Sequence, residues 1–260
     1  MKKEQKFYLI KVQYLGFRYH GWAPQPGVKT VQGMIEKTLN FIYQGIKFKV
    51  LGAGRTDAMV SANGAYFELF MNEEIDLQSF LPLFNLNLPQ DIKALSIREV
   101  SSQFNIIQSV KQKEYHYNFS FGEKTNPLSS PFMIAILENL NINAMMEAAK
   151  AFEGQHDFIQ YCYKPVENIN TIRTVDSCSI QQKNNTNSNF FPSESFVLQI
   201  KGRGFMRKQI RLIMGALILI GKGEVTLNQI EKSLQGNYEF EQYVAPASGL
   251  ILEEIEFNDL

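Results

Sequence analysis

The run Lys113 to Phe121 alternates without a break. Tyr115, Tyr117, Phe119 and Phe121 fall on one side of an extended chain, and Glu114, His116, Asn118 and Ser120 on the other. A period of two sustained over this length is the pattern of a half-buried β-strand. Any fold of this chain therefore contains a sheet with one covered aromatic face.

Other segments fill in around it. Tyr8, Ile10, Val12 and Tyr14 alternate with Lys11 and Gln13, so 7–14 reads as a strand. Thr30 can cap a helix whose apolar face is Val31, Met34, Ile35, Thr38 and Ile42. Strands are expected at 47–51, 65–70 and 92–99, with a helix at 76–86 between the last two. In the second half, Asn143 opens a helix carrying Met145, Met146, Ala149 and Phe152 and ending at Gly154. Strands near 173–180 and 195–201 flank the polar run Gln181–Asn189, which reads as a long, mobile hairpin loop. A helix from Phe205 to Ile220 stopped by Gly221, a short helix at 226–235 and a strand at 250–257 complete the chain. The order suggests an α+β fold with a mainly antiparallel sheet, in two mixed halves, 1–105 and 106–260. No linker rich in Pro or Ser separates them.

Composition excludes several classes. The chain has 260 residues, 45% hydrophobic and 20% charged, which is ordinary for a globular protein. The start MKKEQKFYLIKVQY has no sustained apolar core of a signal peptide. The longest apolar stretch, Ile210–Ile220, contains Arg211 and is too short to span a bilayer. Cys162 and Cys178 form no disulfide framework, and with His20, His116 and His156 they make no zinc pattern. A reducing cytoplasm is the expected compartment. Net charge is zero but unevenly spread: 201–222 holds six Lys or Arg and no acid, and 223–260 holds one Lys and eight acids. Local basic surface of this kind can attract phosphate, although short charge runs are usually solvated faces.

Three constellations could carry chemistry. Gly52-Ala53-Gly54-Arg55-Thr56-Asp57 is a Gly-rich loop between two strands. Arg55 offers a planar fork and Asp57 a carboxylate, but no Lys-Ser/Thr follows, so it is no phosphate loop. From spacing alone, a tight turn with an Asx cap is the stronger reading. In the helix after Gly204, Arg207, Lys208 and Arg211 sit at i, i+1 and i+4 in an otherwise apolar run. Such a stripe needs a carboxylate or an anionic ligand, unless the side chains snorkel to water. Tyr115 can be core on its amphipathic strand.

Taken in order, these pieces resemble the tRNA pseudouridine synthases of the TruA type. Tyr14-Leu15-Gly16-Phe17-Arg18-Tyr19-His20-Gly21-Trp22 is similar to the family's opening, followed by Pro24-Gln25-Pro26 and Thr30-Val31-Gln32. Gly54-Arg55-Thr56-Asp57-Ala58 matches its catalytic motif. Asn87 to Ile92, Lys113-Glu114-Tyr115-His116-Tyr117, Gly154 to Phe158, Thr171 to Thr174, Gly204-Phe205-Met206 through Arg211, and Ala245 to Leu250 follow in register. These ordered landmarks reverse the preference for a bare turn at Asp57. The resemblance implies two similar α/β halves sharing a mixed, mainly antiparallel sheet with a central catalytic cleft. It implies Asp57 as nucleophile, Tyr115 in the active site and Arg211 beside the Asp. It also implies a homodimer acting on tRNA in the anticodon stem-loop, without cofactor or metal.

The chemistry agrees with these residue types. A carboxylate can attack the sugar carbon, stabilise an oxocarbenium-like centre or remove a sugar proton, and a neighbouring cation keeps it ionised. Tyr115 can stack on a flipped uracil or take its C5 proton. Arg55 would hold the displaced nucleotide, and the basic 201–211 segment, with Arg207 and Lys208, would grip phosphates. The chain departs from the family pattern at Leu15, Ala23, Met59, Ser61 and Asn105-Ile106-Ile107. Those departures keep a second reading open: a divergent RNA-binding module or tRNA chaperone with little catalysis.

Overall fold

The computed structural model describes residues 5–184 and 190–258. The chain divides into two compact units: residues up to Lys111 together with those from Leu252 on, and Gln112–Ile251. The fold is mixed α+β, with five helices and mainly antiparallel strands among the described residues. Among those residues no helix is long and apolar enough to cross a membrane.

The first unit opens with β1 (Lys6–Tyr14), then α1 (Val31–Ile42), β2 (Phe48–Gly52), β3 (Ser61–Met71), α2 (Leu77–Asn87) and β4 (Ile92–Glu99). β1 lies antiparallel between β3 and β4, with Ile10 opposite both Phe67 and Ile97. β2 pairs antiparallel with the 67–71 end of β3. Thr30 caps α1 as expected, its side chain accepting from the Gly33 N–H, and Val31, Ile35 and Leu39 are buried beneath.

The second unit contains β5 (Val110–Phe121) from Gln112 on, β6 (Ile134–Ile136), α3 (Ile142–Lys150), β7 (Gly154–Asp157), β8 (Ile172–Val175), β9 (Ser177–Asn184), β10 (Glu194–Gly202), α4 (Gln209–Lys222) and α5 (Leu227–Ser233). The last strand, β11 (Leu250–Phe257), begins in this unit and runs into the first. β10 is antiparallel to both β5 and β9, while β6 runs parallel to the end of β5. On β5, Tyr115, Tyr117 and Phe119 are buried, and Glu114 on the other face pairs with Lys201 and His116.

Four expectations need correction. Asn141, not Asn143, caps α3, its Oδ1 accepting from the Ala144 N–H at 3.1 Å. Residues 181–184 continue strand β9 instead of forming a loop, and the remainder of that expected loop, 185–189, lies outside the described residues. The helix expected from Phe205 starts only at Gln209, because Lys208 takes a left-handed conformation (φ 58°) and the Gln209 side chain accepts from the Met206 N–H. Arg207 and Lys208 therefore precede the helix and share no face of it with Arg211. At its other end α4 passes through Gly221 and stops at Gly223, whose φ of 77° closes the left-handed cap. Gly221 instead makes room for α3, since a Cβ there would sit 2.7 Å from the Met145 sulfur.

Burial on nearly every side explains why α4 is apolar all round. At Gly215 the contact is with backbone, since a Cβ would lie 1.6 Å from the Tyr243 carbonyl oxygen. Gly215→Ala should lower the unfolding free energy by about 3 kcal/mol or more, as overpacking against an unyielding group does. Gly223→Ala meets open space. It should cost only about 1 kcal/mol, for the loss of a left-handed glycine. Urea midpoints of the two variants test the ordering.

Candidate functional site

The loop at 52–57 leaves β2, and its backbone is held from one side by the segment that follows β1. The Tyr14 hydroxyl and the Thr56 hydroxyl are 2.9 Å apart. The Trp22 backbone N–H donates to the Thr56 carbonyl at 3.2 Å, and the Met59 N–H to the Tyr19 carbonyl at 3.0 Å. Gly21 has a φ of 90°, and a Cβ on it would come within 2.5 Å of the Thr56 oxygen. Gly16 is closer still to the Val60 carbonyl, and its N–H donates to the Ser61 hydroxyl at 3.0 Å. Residues 14–22 are thus a cradle in which the loop backbone lies, with Asp57 half-buried and Arg55 exposed at its outer side.

The cradle is fastened in turn to the start of β4. Arg18 donates to one oxygen of Asp91 through Nε (2.8 Å) and Nη2 (2.6 Å), and the Tyr19 hydroxyl donates to the other at 2.6 Å. Burial, together with that carboxylate, pushes the Tyr19 hydroxyl well above the ordinary phenol range, so it remains a donor. Leu15 takes part through its backbone N–H, which donates to the Asp91 carbonyl. The departure from the family pattern at Leu15 therefore leaves this fastening intact. These positioning residues, Tyr14, Gly16, Tyr19, Gly21, Trp22 and Asp91, carried no assigned role in the sequence. Their signal was the two glycines spaced through an aromatic run.

Met59 stands two residues after Asp57 at φ 68°. This is a conformation that glycine adopts freely and other residues seldom do. A methionine at this φ therefore loads strain onto the loop.

In the second unit Tyr115 lies on β5 opposite Ile200 of β10 and is nearly buried. Phe205 meets its ring edge to face, with centroids 5.5 Å apart. Arg211, the third residue of α4, is gripped twice at Ala245: its Nε donates to the Ala245 carbonyl at 2.7 Å, and its own carbonyl accepts from the Ala245 N–H at 3.1 Å. The Tyr117 hydroxyl donates to the Pro246 carbonyl at 2.7 Å. Burial drives the Tyr117 hydroxyl well up, and the Arg211 charge offsets part of that rise. Lys113, further along the same strand, has its ammonium lowered by burial. The expected group of Arg207, Lys208 and Arg211 divides by its contacts: Arg207 and Lys208 lie over the Tyr163 ring, and Arg211 is held at Ala245. Among the described residues no three His, Cys, Asp or Glu side chains gather where a metal ion could sit.

The Met59 backbone generates a prediction. Met59→Val places a β-branched side chain at a left-handed position and should destabilise the protein by about 1–2 kcal/mol. Met59→Gly removes the strain but loosens the unfolded chain, so it should stay within about 0.5 kcal/mol of the parent. Equal losses in both, by urea unfolding, would show that side-chain packing decides instead.

Comparison with known proteins follows the same lines. Residues 10–107 and 148–258 match a family model described as tRNA pseudouridine synthase. The cradle, the Asp57 loop and Arg211 fall inside those stretches, and Tyr115 between them. A protein named tRNA pseudouridine synthase A from Thermosipho melanesiensis is 35% identical over 257 residues, covering 97% of this chain and 100% of that protein. One of the same name from Mesoplasma florum is 32% identical over 260 residues (96% and 98%). Another from Shouchella clausii is 30% identical over 249 residues (95% and 92%). The match runs through most of the chain in both units, and the chain belongs to the tRNA pseudouridine synthase family.

Proposed function

We propose that this protein converts uridine to pseudouridine in the anticodon stem-loop of tRNA, with Asp57 as nucleophile. Membership of the family makes it an isomerase acting on uridine in tRNA. The finer reading is supported above all by the cradle, which devotes six residues to holding the backbone around one half-buried carboxylate.

The reaction breaks the bond between uracil N1 and the sugar carbon, turns the base, and joins its C5 to that carbon. The C5 proton departs and N1 gains one, so atoms and electrons balance without a redox partner. Asp57 attacks the sugar carbon as N1 of the base leaves, and the ester bond so formed breaks when C5 of the turned base attacks the same carbon, which returns the carboxylate. Arg211 supplies the cation that pairs with the carboxylate, and the bond from its Nε to the Ala245 carbonyl supports that role by fixing the guanidinium. Tyr115 lies against the base, held by Phe205. Arg55, exposed beside Asp57, stabilises the extruded nucleotide. On this reading the half 1–105 contributes the nucleophile, and 106–260 the tyrosine and arginine. The enzyme works in the cytoplasm.

Tritium release from tRNA labelled at uridine C5 reports the reaction. Asp57→Asn should abolish release while tRNA affinity stays within about tenfold, since one neutralised group is a small share of a many-phosphate interface. In the same assay Arg211→Lys keeps the charge but loses the planar fork, and should sharply lower turnover with binding retained. Substantial release by Asp57→Asn would refute the nucleophile assignment. No release by the parent protein across cellular tRNAs, with binding intact, would favour the RNA-binding module instead. The proposal includes a homodimer with one RNA crossing both subunits. Sedimentation at micromolar concentration should give twice the chain mass, and a monomer there would contradict it.

A further inference from the structure

Tyr163 lies outside every group assigned above, yet three cations converge on its ring. Lys208 Nζ is 3.6 Å from the ring centroid, Arg207 Cζ 5.3 Å and Lys164 Nζ 5.6 Å. All fall within the roughly 6 Å at which a ring face attracts a cation. The Tyr163 N–H donates to the Arg207 carbonyl at 3.1 Å, tying the two segments together. Lys164 (φ 48°) and Lys208 (φ 58°) both take the left-handed conformation, as do only two other non-glycine residues among those described. Such backbone persists only where its surroundings over-determine it. Among the described residues no carboxylate lies within salt-bridge distance of the three. Three like charges are thus gathered and held without a counter-charge from the described residues.

We infer that Tyr163 is a positioning residue that assembles Lys164, Arg207 and Lys208 into a binding site for backbone phosphate of RNA. The inference rests on the tRNA reading above. The ring offsets part of the repulsion among the cations and restricts three long side chains before the ligand arrives, so less freedom is lost on binding. Arg207 and Lys208 precede Arg211 by four and three residues. A phosphate held here is therefore fixed at a short chain distance from the arginine assigned to the reaction.

The test is binding of unmodified tRNA transcripts by fluorescence anisotropy at several KCl concentrations. Tyr163→Phe keeps the ring and should match the parent protein. Tyr163→Leu keeps bulk without the ring, and should weaken binding about five- to tenfold at moderate salt. The triple variant Lys164→Gln, Arg207→Gln, Lys208→Gln should weaken it further. It should also flatten the slope of log affinity against log salt by about one or more, as expected when at least one phosphate contact is lost. The Leu variant should flatten the slope in the same direction, whereas a merely structural role for Tyr163 would leave its slope at the parent value. Parent-like affinity and slope in both the Leu and triple variants would overturn the inference, as would a Phe variant as weak as the Leu one. Tritium release by the parent protein, read in parallel, tests the isomerase reading separately.

Discussion

Gly16 and Gly21 act alike. Each lies where a Cβ would run into backbone of the segment that carries Asp57, so two stretches of main chain can lie against each other with no side chain between them. The hydrogen bonds from Trp22, Met59 and the Tyr14 hydroxyl then fix the register of that contact. Backbone-to-backbone contact is stiffer than contact through rotatable side chains, which suits the nucleophile role proposed for Asp57. The Arg18, Tyr19 and Asp91 bonds extend the same rigidity into β4. The departures at Leu15 and Ser61 are tolerated because this arrangement uses the Leu15 backbone and needs only a hydroxyl at Ser61.

The second unit solves a related problem with different groups. The segment 243–249 has no regular structure of its own, and it is fastened by Arg211 at Ala245, by Tyr117 at Pro246, and by the close approach of Gly215 to Tyr243. Arg211 thus has a structural share in holding this segment as well as the chemical role proposed for it. Arg207 and Lys208, which stand just ahead of the helix, take no part in that fastening and turn to Tyr163.

How much of this could be read beforehand depended on whether the signal was local. Strand β5 was legible because its period of two is written in four alternate aromatics, and α1 because Thr30 and its apolar face obey cap and helix spacing. The start of α4 was not, because Phe205 and Met206 are apolar for tertiary reasons: one packs on Tyr115 and the other is buried. Gly221 looked like a stop and is a packing contact. At the candidate site, the loop itself was visible as Gly-Arg-Thr-Asp. Its cradle joins Arg18 and Tyr19 to Asp91, more than seventy residues away, and no periodicity announces such a pairing. Tyr163 was equally silent, an aromatic close after Phe158 and Tyr161 whose partners Arg207 and Lys208 come from another segment.

The return of β11 to the first unit has a consequence for how the protein is made. Its Glu253 backbone approaches Gly64, Glu254 pairs with Lys11, and Phe257 packs edge to face on Tyr66 and Phe104. Every residue of Gln112–Ile251 must leave the ribosome before these contacts can form. At roughly 5–20 residues per second that is a wait on the order of ten seconds, far longer than a hairpin needs to close. Throughout it β3 is covered by β1 on one edge and by β2 along 67–71 on the other, leaving the 61–66 stretch as an open ladder. Asn63 and Gly64 lie in that stretch, and a polar side chain beside a residue with none makes a poor template for a stray strand. The composition of β3 thus suits a nascent chain that must wait for its last partner.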